Sequence, residues 1–212
     1  MIKKNTSFIK GILFGILLGG GLVLLISFLI DYFHVEEINR DPKNKIIIVN
    51  KEDQTLMVYD AVQGRKIKSY KMSTGENPGN KLMRGDLKTP EGIFPIIGIE
   101  DASDWTYDFK DGKGQIKGAY GPNFLRLKVS SDNIFNNVKE SFDFTEGDEF
   151  LGIGIHGTHL NDLIGQRTSH GCIRLENANL LDLKQYIASG TLVIIVPGKL
   201  DFDENANPKY LN

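Results

Sequence analysis

Short runs of apolar residues, several of them alternating with polar residues, dominate the chain between residues 45 and 197. Alternation with a period of two places one set of side chains on each face of a strand. The pattern predicts strands at 46–49, 54–59, 66–72, 93–99, 124–129, 151–155 and 191–196. Because proline cannot donate a ladder hydrogen bond, Pro95 indicates an edge strand or a bulge.

A single stretch near the C-terminus has the spacing of a long helix. Leu180, Leu183 and Ile187 recur at intervals of three and four residues, which places them on one helix face. Asn177 precedes them as a favourable N-cap, and Gly190 follows where a left-handed C-terminal residue is favoured. The hydrophobic pattern therefore predicts a mainly β domain with one long helix.

Two polar stretches interrupt the strand pattern. Residues 76–92 are rich in Gly, Pro, Asn and charge and predict a loop of roughly 15 residues, a length typical of functional loops. Residues 100–123 contain turn signals and the alternating aromatics Trp105, Tyr107 and Phe109, which predict an exposed hairpin. These aromatics either line a cleft or pack against the sheet, and we expect packing.

The N-terminal stretch from 11 to 30 contains 20 consecutive residues without a formal charge. At about 1.5 Å per helical residue, this stretch spans the roughly 30 Å hydrocarbon core of a bilayer. A cleaved signal peptide is the alternative, but its apolar part is about 7 to 15 residues long. No small-residue cleavage site precedes Asp31. We therefore predict an uncleaved transmembrane anchor.

The charge distribution orients this anchor. Three lysines precede it and acidic residues follow it, so the positive-inside tendency places the N-terminus in the cytoplasm and the rest of the chain outside. Subtracting +3 from the formal net charge of -2 leaves -5 on residues 31–212, which argues against nucleic-acid binding. The predicted organisation is a cytoplasmic stub at 1–10, the anchor at 11–30, a linker at 31–44, a folded domain at 45–197 and a polar tail at 198–212.

The stretch from 155 to 175, IHGTHLNDLIGQRTSHGCIRL, contains three of the four histidines and the only cysteine. A lone cysteine in an extracytoplasmic domain cannot form an intramolecular disulfide, so Cys172 is a buried apolar residue, a surface thiol or a nucleophile. Its neighbours form a polar set that suits a core strand poorly: Ser169, His170, Gly171 and Arg174. We interpret Cys172 as a nucleophile.

Two histidines compete for the role of its base. His156 follows a glycine-rich strand end, and an imidazole within hydrogen-bond reach of Cys172 is expected to raise the thiolate fraction as an ion pair. His170 is two residues from Cys172, on the same face of an extended segment. It is either a rival base or a donor to the substrate or the oxyanion. We predict His156 as the base.

Two further residues offer anion binding. Gly171 permits a backbone in which successive N–H groups, including that of Cys172, point at one oxyanion. Arg174 shares the face of His170 and Cys172. Its planar guanidinium either pairs with a substrate carboxylate or forms a surface salt bridge.

Three histidines and a cysteine also raise the alternative of a zinc site. The spacings from His156 to His159 and from His170 to Cys172 match no common zinc-finger pattern, and the chain has no second cysteine. We therefore expect no metal, and we expect the thiol chemistry to proceed without a cofactor.

Several motifs together resemble the catalytic domain of the L,D-transpeptidases, also called the YkuD domain. HGT begins at His156 and SHGCIRL at Ser169, and twelve residues separate His156 from Ser169. These motifs are preceded by QTLMVYD at 54–60, STG at 73–75, TPEGIF at 89–94 and YGPNFLRL at 120–127. The resemblance covers about residues 45–197.

This resemblance implies a β-sandwich or capped barrel that acts on peptidoglycan stem peptides. It implies that Cys172 attacks the carbonyl of the L-centre of the diamino acid at stem position three, releases D-alanine and forms a thioester. An amine from a neighbouring stem, a D-amino acid or a lipoprotein then accepts the acyl group. By resemblance, His156 is the base, His170, Gly171 and Ser169 position the oxyanion and substrate, and Arg174, Gly157 and Thr158 bind substrate.

The acceptor stays open at this point. The GDLKTPEG run at 85–92 resembles a subset of the family that includes hydrolases. The alternatives are therefore an L,D-carboxypeptidase or amidase that uses water, and a non-catalytic wall-binding module. In each case we expect a single-pass protein of the cytoplasmic membrane whose domain faces the periplasm or cell wall.

Overall fold

The computed structural model describes residues 42–109, 112–130, 152–198, 200–202 and 208–210. The predicted stub and anchor and most of the predicted linker lie outside this part of the chain, as do residues 131–150 and most of the tail. Among the described residues, no helix is long and apolar enough to cross a membrane.

Strands make up most of the regular structure. The first eight are β1 (Lys45–Asn50), β2 (Thr55–Asp60), β3 (Arg65–Gly75), β4 (Gly92–Asp101), β5 (Thr106–Asp108), β6 (Gln115–Lys117), β7 (Asn123–Leu127) and β8 (Gly154–His156). They are followed by β9 (Arg167–Ser169), β10 (Ile173–Leu175), β11 (Leu192–Val196), β12 (Leu200–Phe202) and β13 (Pro208–Tyr210). The helix α1 (Asn177–Leu183) follows β10, and short 3-10 helices occupy Pro42–Asn44, Asn161–Leu163 and Lys184–Tyr186.

The strands of the main sheet close into a barrel. Their order is β10-β8-β7-β4-β11-β1-β2-β3, with β9 beyond β3, and β10 also pairs with β3. Closure satisfies the hydrogen bonds that a sheet edge would leave open. Of the two architectures that the resemblance implied, the structure therefore has the barrel.

Alternation along the strands fills this barrel. In β2, Leu56 and Val58 are buried while Thr55, Met57 and Tyr59 are half-buried, as the period of two predicts. Equivalent side chains of the neighbouring strands complete the core, among them Ile47, Val49, Phe94, Ile96, Leu125, Ile155, Val193 and Ile195.

The structure distinguishes between the edge strand and the bulge that Pro95 predicts. β4 lies between β11 and β7, so Pro95 is not on an edge strand. The register between β4 and β7 shifts between Ile96 and Gly98, directly after the proline. The bulge is therefore the correct alternative.

The predicted long helix is wrong in its length and its caps. α1 has only seven residues and continues as the 3-10 helix that ends at Tyr186. Glu176 is the N-cap residue, and Asn177 is the first helical residue. Gly190 does have a left-handed φ of 92°, but it lies four residues after the helical segment, in the turn before β11. Leu180 and Leu183 are buried as predicted.

Candidate active site

The pairing of β8 with β10 brings the two sequence motifs together. These strands are parallel neighbours, with Ile155 beside Ile173 and His156 beside Arg174. His156 ends β8, and Cys172 immediately precedes β10, so both reach a cavity of about 160 Å³. The cavity is lined by Tyr107, Phe109, Ala119, Tyr120, Gly152, Ile153, His156, His170, Cys172 and Arg174.

His156 is held in one orientation. Its side chain is buried, and Nδ1 lies 2.6 Å from the carbonyl oxygen of Gly157. Because a carbonyl only accepts, we assign the proton to Nδ1, which leaves Nε2 as an acceptor. The ring stacks on Phe124 at 5.5 Å and packs against Tyr120 at 4.9 Å between centroids. In this tautomer Nε2 carries no proton, as a base that acts through Nε2 requires.

Burial sets the charge states of the base and the thiol. It lowers the pKa of His156 to about 3, with a smaller contribution from the positive charge of Arg174. Burial raises the pKa of Cys172, although the Gly154 backbone and nearby cations act in the opposite direction. The Cys172 thiol donates to the Gly152 carbonyl at 3.3 Å. Both shifts favour a neutral resting pair, whereas the sequence predicted an ion pair.

Ser169 braces the turn that carries the nucleophile. Its buried hydroxyl donates to the carbonyl of Cys172 at 2.5 Å and accepts from the N–H of Gly171 at 3.1 Å. Gly171 has a φ of 130°, and a Cβ there would lie 2.9 Å from the carbonyl oxygen of Lys88. Ser169 and Gly171 thus shape the turn without lining the cavity, and the Gly171 amide is bound to Ser169.

Arg174 is a buried guanidinium that faces the cavity. It is only 7% exposed, and it takes part in none of the ion pairs found in the described part of the chain. Nη1 donates to the Thr168 carbonyl at 3.0 Å, while Nε has no partner. Its charge lies 5.8 Å from the ring centre of Phe109. The surface salt bridge is therefore the wrong alternative for Arg174.

The β5–β6 hairpin forms one wall of the cavity. The hydroxyl of Tyr107 lies 3.2 Å from Nδ1 of the exposed His170. Phe109 packs 6.1 Å from His170 and 5.6 Å from His159, between ring centroids. The hairpin is confirmed, but the prediction that its aromatics only pack against the sheet is wrong for Tyr107 and Phe109. Trp105 does pack inward, 5.5 Å from Phe124.

Gly157 and Thr158 directly follow His156 in the chain, but they do not line the cavity. The Gly157 carbonyl accepts from His156, and the Thr158 N–H donates to Oδ1 of Asn177 at 3.0 Å. The Thr158 hydroxyl accepts from the N–H of Leu160. In the structure these two residues contact protein groups, and substrate binding by them stays a prediction.

No cluster of three or more His, Cys, Asp or Glu residues with the geometry of a metal site occurs in the part of the chain that the structure describes. His156 and His170 both reach the cavity, but His159 is not among its lining residues. These residues therefore provide no ligand set for the zinc alternative.

Sequence reasoning missed several residues of the cavity. Tyr120 contacts His156, and Tyr107 contacts His170, yet neither belongs to the stretch with the cysteine. The alternation of aromatics at 105–109 was the available signal for the hairpin, and the YGP sequence at 120–122 was the signal for Tyr120. Neither pattern shows which face of the barrel its residues reach.

A closed β barrel that places one cysteine, one buried histidine and an arginine without an ion pair in a common cavity has the groups that nucleophilic chemistry by a thiol requires. The sequence profile of the L,D-transpeptidase catalytic domain, YkuD, matches residues 44–195. The chain therefore belongs to the YkuD family of L,D-transpeptidase catalytic domains.

Relatives agree with this assignment. YqjB of Bacillus subtilis is 30% identical over 166 residues, which cover 78% of each chain. YkuD of Bacillus licheniformis is 46% identical over 151 residues, 71% of this chain and 65% of the relative. Both have L,D-transpeptidase in their names. The crystal structure of the helical cell shape determining protein Pgp2 from Campylobacter jejuni matches with 26% identity and a TM-score of 0.50, over 75% of this chain and 49% of Pgp2.

The matched region is thus only part of two of these relatives: it spans just under two thirds of YkuD and about half of Pgp2. The family assignment applies to the catalytic domain. The activity, substrate and location of the whole protein are matters for proposal.

Proposed function

We propose that this chain is a membrane-anchored L,D-transpeptidase that acts on peptidoglycan stem peptides. The observation that carries the proposal is the hydrogen bond from His156 Nδ1 to the Gly157 carbonyl, which leaves Nε2 as a proton acceptor in the cavity of Cys172. Family membership supports the substrate class. The donor is a stem peptide with a diamino acid at position three and a terminal D-alanine.

The reaction begins as Cys172 Sγ attacks the carbonyl of the L-centre at position three, while His156 Nε2 takes the thiol proton. The carbonyl oxygen becomes an oxyanion, and a new C–S bond forms. When the C–N bond to D-alanine breaks, the imidazolium returns the proton to the leaving amine. An acceptor amine attacks the resulting thioester and gives its proton to His156. As the C–S bond breaks, the imidazolium passes this proton to the released Cys172 thiolate.

Arg174 supports recognition of a carboxylate in the donor. The guanidinium lies in the cavity wall, and its Nε has no partner. Buried cations in proteins are normally paired. A substrate carboxylate in the cavity supplies the counter-charge that the protein leaves out. His170 lines the same cavity beside Tyr107, which supports a role as a donor to the substrate or the oxyanion.

The proposal is tested by incubating purified protein with a defined tetrapeptide muropeptide and analysing protein and products by mass spectrometry. Expected are loss of D-alanine, a thioester adduct on Cys172 and transfer to an added amine. We expect His156→Gln to slow acylation by about two to four powers of ten, whereas Cys172→Ala forms no adduct. Release of the tripeptide with no transfer would instead identify an L,D-carboxypeptidase. Folded protein that binds sacculi but never forms an adduct would identify a wall-binding module.

The proposed location follows from the sequence outside the described residues. The 20 uncharged residues from 11 to 30, preceded by three lysines, support a single-pass anchor in the cytoplasmic membrane. The domain then lies in the periplasm or cell wall, where peptidoglycan is found.

A further inference from the structure

Asn177 connects three segments that meet behind the candidate active site. It is the first residue of α1, which follows directly on β10, the strand that starts after Cys172. The N-cap residue of α1 is Glu176, and its side chain makes no capping hydrogen bond. The side chain of Asn177 bonds outside the helix: its Oδ1 accepts a hydrogen bond from the N–H of Thr158 at 3.0 Å.

Two glycines make room for this contact. A Cβ on Gly157 would lie 2.1 Å from Asn177 Oδ1, and a Cβ on Gly121 would lie 2.3 Å from the same atom. These separations are far inside van der Waals contact, so neither position accepts a side chain while Asn177 keeps its place. Gly121 also has a φ of 66°, which favours glycine. The amide oxygen of Asn177 therefore lies between the HGT motif and the turn that carries Tyr120.

One peptide group links Asn177 to His156. The Thr158 N–H that donates to Asn177 and the Gly157 carbonyl that accepts from His156 Nδ1 belong to the same planar unit. Because the unit is rigid, a rotation of it moves the donor and the acceptor of the two hydrogen bonds together. Hydrogen bonds at the two ends of an amide polarise each other in the same direction, so the acceptor on the N–H end strengthens the carbonyl as an acceptor.

We propose that Asn177 is a positioning residue that fixes the tautomer and orientation of His156 through the Gly157–Thr158 peptide group. Because only Glu176 separates Asn177 from the end of β10, Asn177 also ties the base to the strand that follows the nucleophile. This role rests on the proposed function of His156 as the base. Asn177 itself is exposed at the surface and does not line the cavity, so it would act on the site only through His156.

The first test needs no substrate. Long-range ¹H–¹⁵N spectra of the full chain with labelled histidine report the tautomer of each ring, and His156→Gln identifies the signals of His156. We expect the wild type to show protonated Nδ1 and unprotonated Nε2. Asn177→Ala should lose this single state and show a mixture of tautomers. Asn177→Asp keeps an acceptor oxygen and should preserve the wild-type pattern, as should Asn179→Ala on the same helix.

The second test measures acylation of Cys172 by the tetrapeptide. Asn177→Ala should lower the acylation rate at saturating donor by about ten- to a hundredfold, with little change in the apparent affinity, whereas Asn177→Asp should recover most of the rate. If Asn177→Ala proves unstable, Asn177→Ser serves the same comparison, since its shorter side chain does not reach Thr158. Wild-type tautomer and rate in the folded alanine or serine variant would overturn the inference. A wild type that never acylates would refute the proposed function, while the spectra would still decide the role of Asn177.

Discussion

Burial acts on the two reacting groups of the proposed mechanism in opposite directions on the pKa scale, and both shifts favour the neutral form. The pKa of His156 falls to about 3 and that of Cys172 rises. At neutral pH both shifts favour a thiol beside a neutral imidazole. In the proposed mechanism the proton then moves during the attack, and the charges of Arg174 and Lys81, which lower the pKa of Cys172, favour the thiolate that forms.

This neutral pair makes a prediction for the reactivity of the thiol. The rate of alkylation of Cys172 by iodoacetamide should rise steadily with pH, and its midpoint should lie above the ordinary thiol value of about 8.5, because burial raises the pKa. Mass spectrometry gives the rate without ambiguity, since Cys172 is the only cysteine.

A preformed thiolate–imidazolium pair would behave differently. It would give a plateau of alkylation between about pH 5 and pH 7, and His156→Gln would abolish that plateau. Observation of this plateau in the wild type would contradict the neutral pair. The Cys172→Ala variant provides the background.

At this scale, local motifs predicted most of the chemistry but not its surroundings. Cys172, His156 and Arg174 could be found because HGT and SHGC carry chemically distinctive residues at fixed spacing, and the structure places all three in one cavity. Tyr107 and Tyr120 could not be assigned there, because the pairing of distant strands decides which aromatics reach the cavity. The charge states also depend on burial, which spacing does not report.

Among the elements, the loop at 76–91 is fastened to the barrel by one buried lysine. Lys51 follows β1, and its Nζ donates to the carbonyls of Gly79 and Thr89 at 2.6 and 2.7 Å. It also pairs with Glu91 Oε1 at 2.7 Å, and both side chains are almost inaccessible. The same loop places the Lys88 carbonyl against Gly171. Lys51 thus supports the turn of the nucleophile from a distance.

We predict that Lys51→Met destabilises the domain by about 3 to 5 kcal/mol, because it leaves the Glu91 carboxylate buried without its counter-charge. The free energy of unfolding is obtained from urea denaturation followed by circular dichroism. Lys51→Met/Glu91→Met should recover only part of the loss, since the Gly79 and Thr89 carbonyls still lack a donor.

Lys117→Met is the matched control, because it breaks the ion pair with Asp104, which is exposed on both sides. It should leave the denaturation midpoint unchanged. If Lys51→Met unfolds at the same urea concentration as the wild type and Lys117→Met, then Lys51 does not secure the loop.

The predictability of the elements followed their length. Strands of five residues or more, such as β1 and β2, show their alternation directly. β9 and β10 have three residues each, too few for a period, and they are strands only because β3 and β8 lie beside them. The sequence predicts too long a helix because Ile187 continues the helical spacing, although the backbone at Ile187 is already extended.

For the whole molecule, closure of the barrel is the step that creates the site. The pairing of β10 with β3 joins residues about a hundred positions apart, Arg174 with Ser73 and Leu175 with Met72. No local pattern specifies such a contact, so the hydrophobic periodicity predicted a mainly β domain and only the resemblance implied a barrel. The motifs predict which residues form the site, whereas the shape of the site depends on closure of the sheet.

The location of this barrel depends on residues 11–30, for which we predict an uncleaved membrane anchor. The full chain, produced in bacterial cells, should sediment with membranes and be released by detergent but not by alkaline carbonate. Its intact mass should equal that of the complete sequence. Changing Leu17 and Leu24 to lysine should move much of the protein to the soluble fraction, because each charge costs about 2.5 to 3.5 kcal/mol near the middle of a membrane helix.

The mass measurement separates the anchor from a signal peptide. A cleaved leader would yield a shorter protein that begins near Asp31 and stays in the soluble envelope fraction. A protease added to cells with a permeabilised outer layer then tests the orientation, since it should remove the domain and leave a fragment that contains the anchor. Protection of the whole chain would place the domain in the cytoplasm, away from peptidoglycan, and would contradict both the anchor's predicted orientation and the proposed substrate.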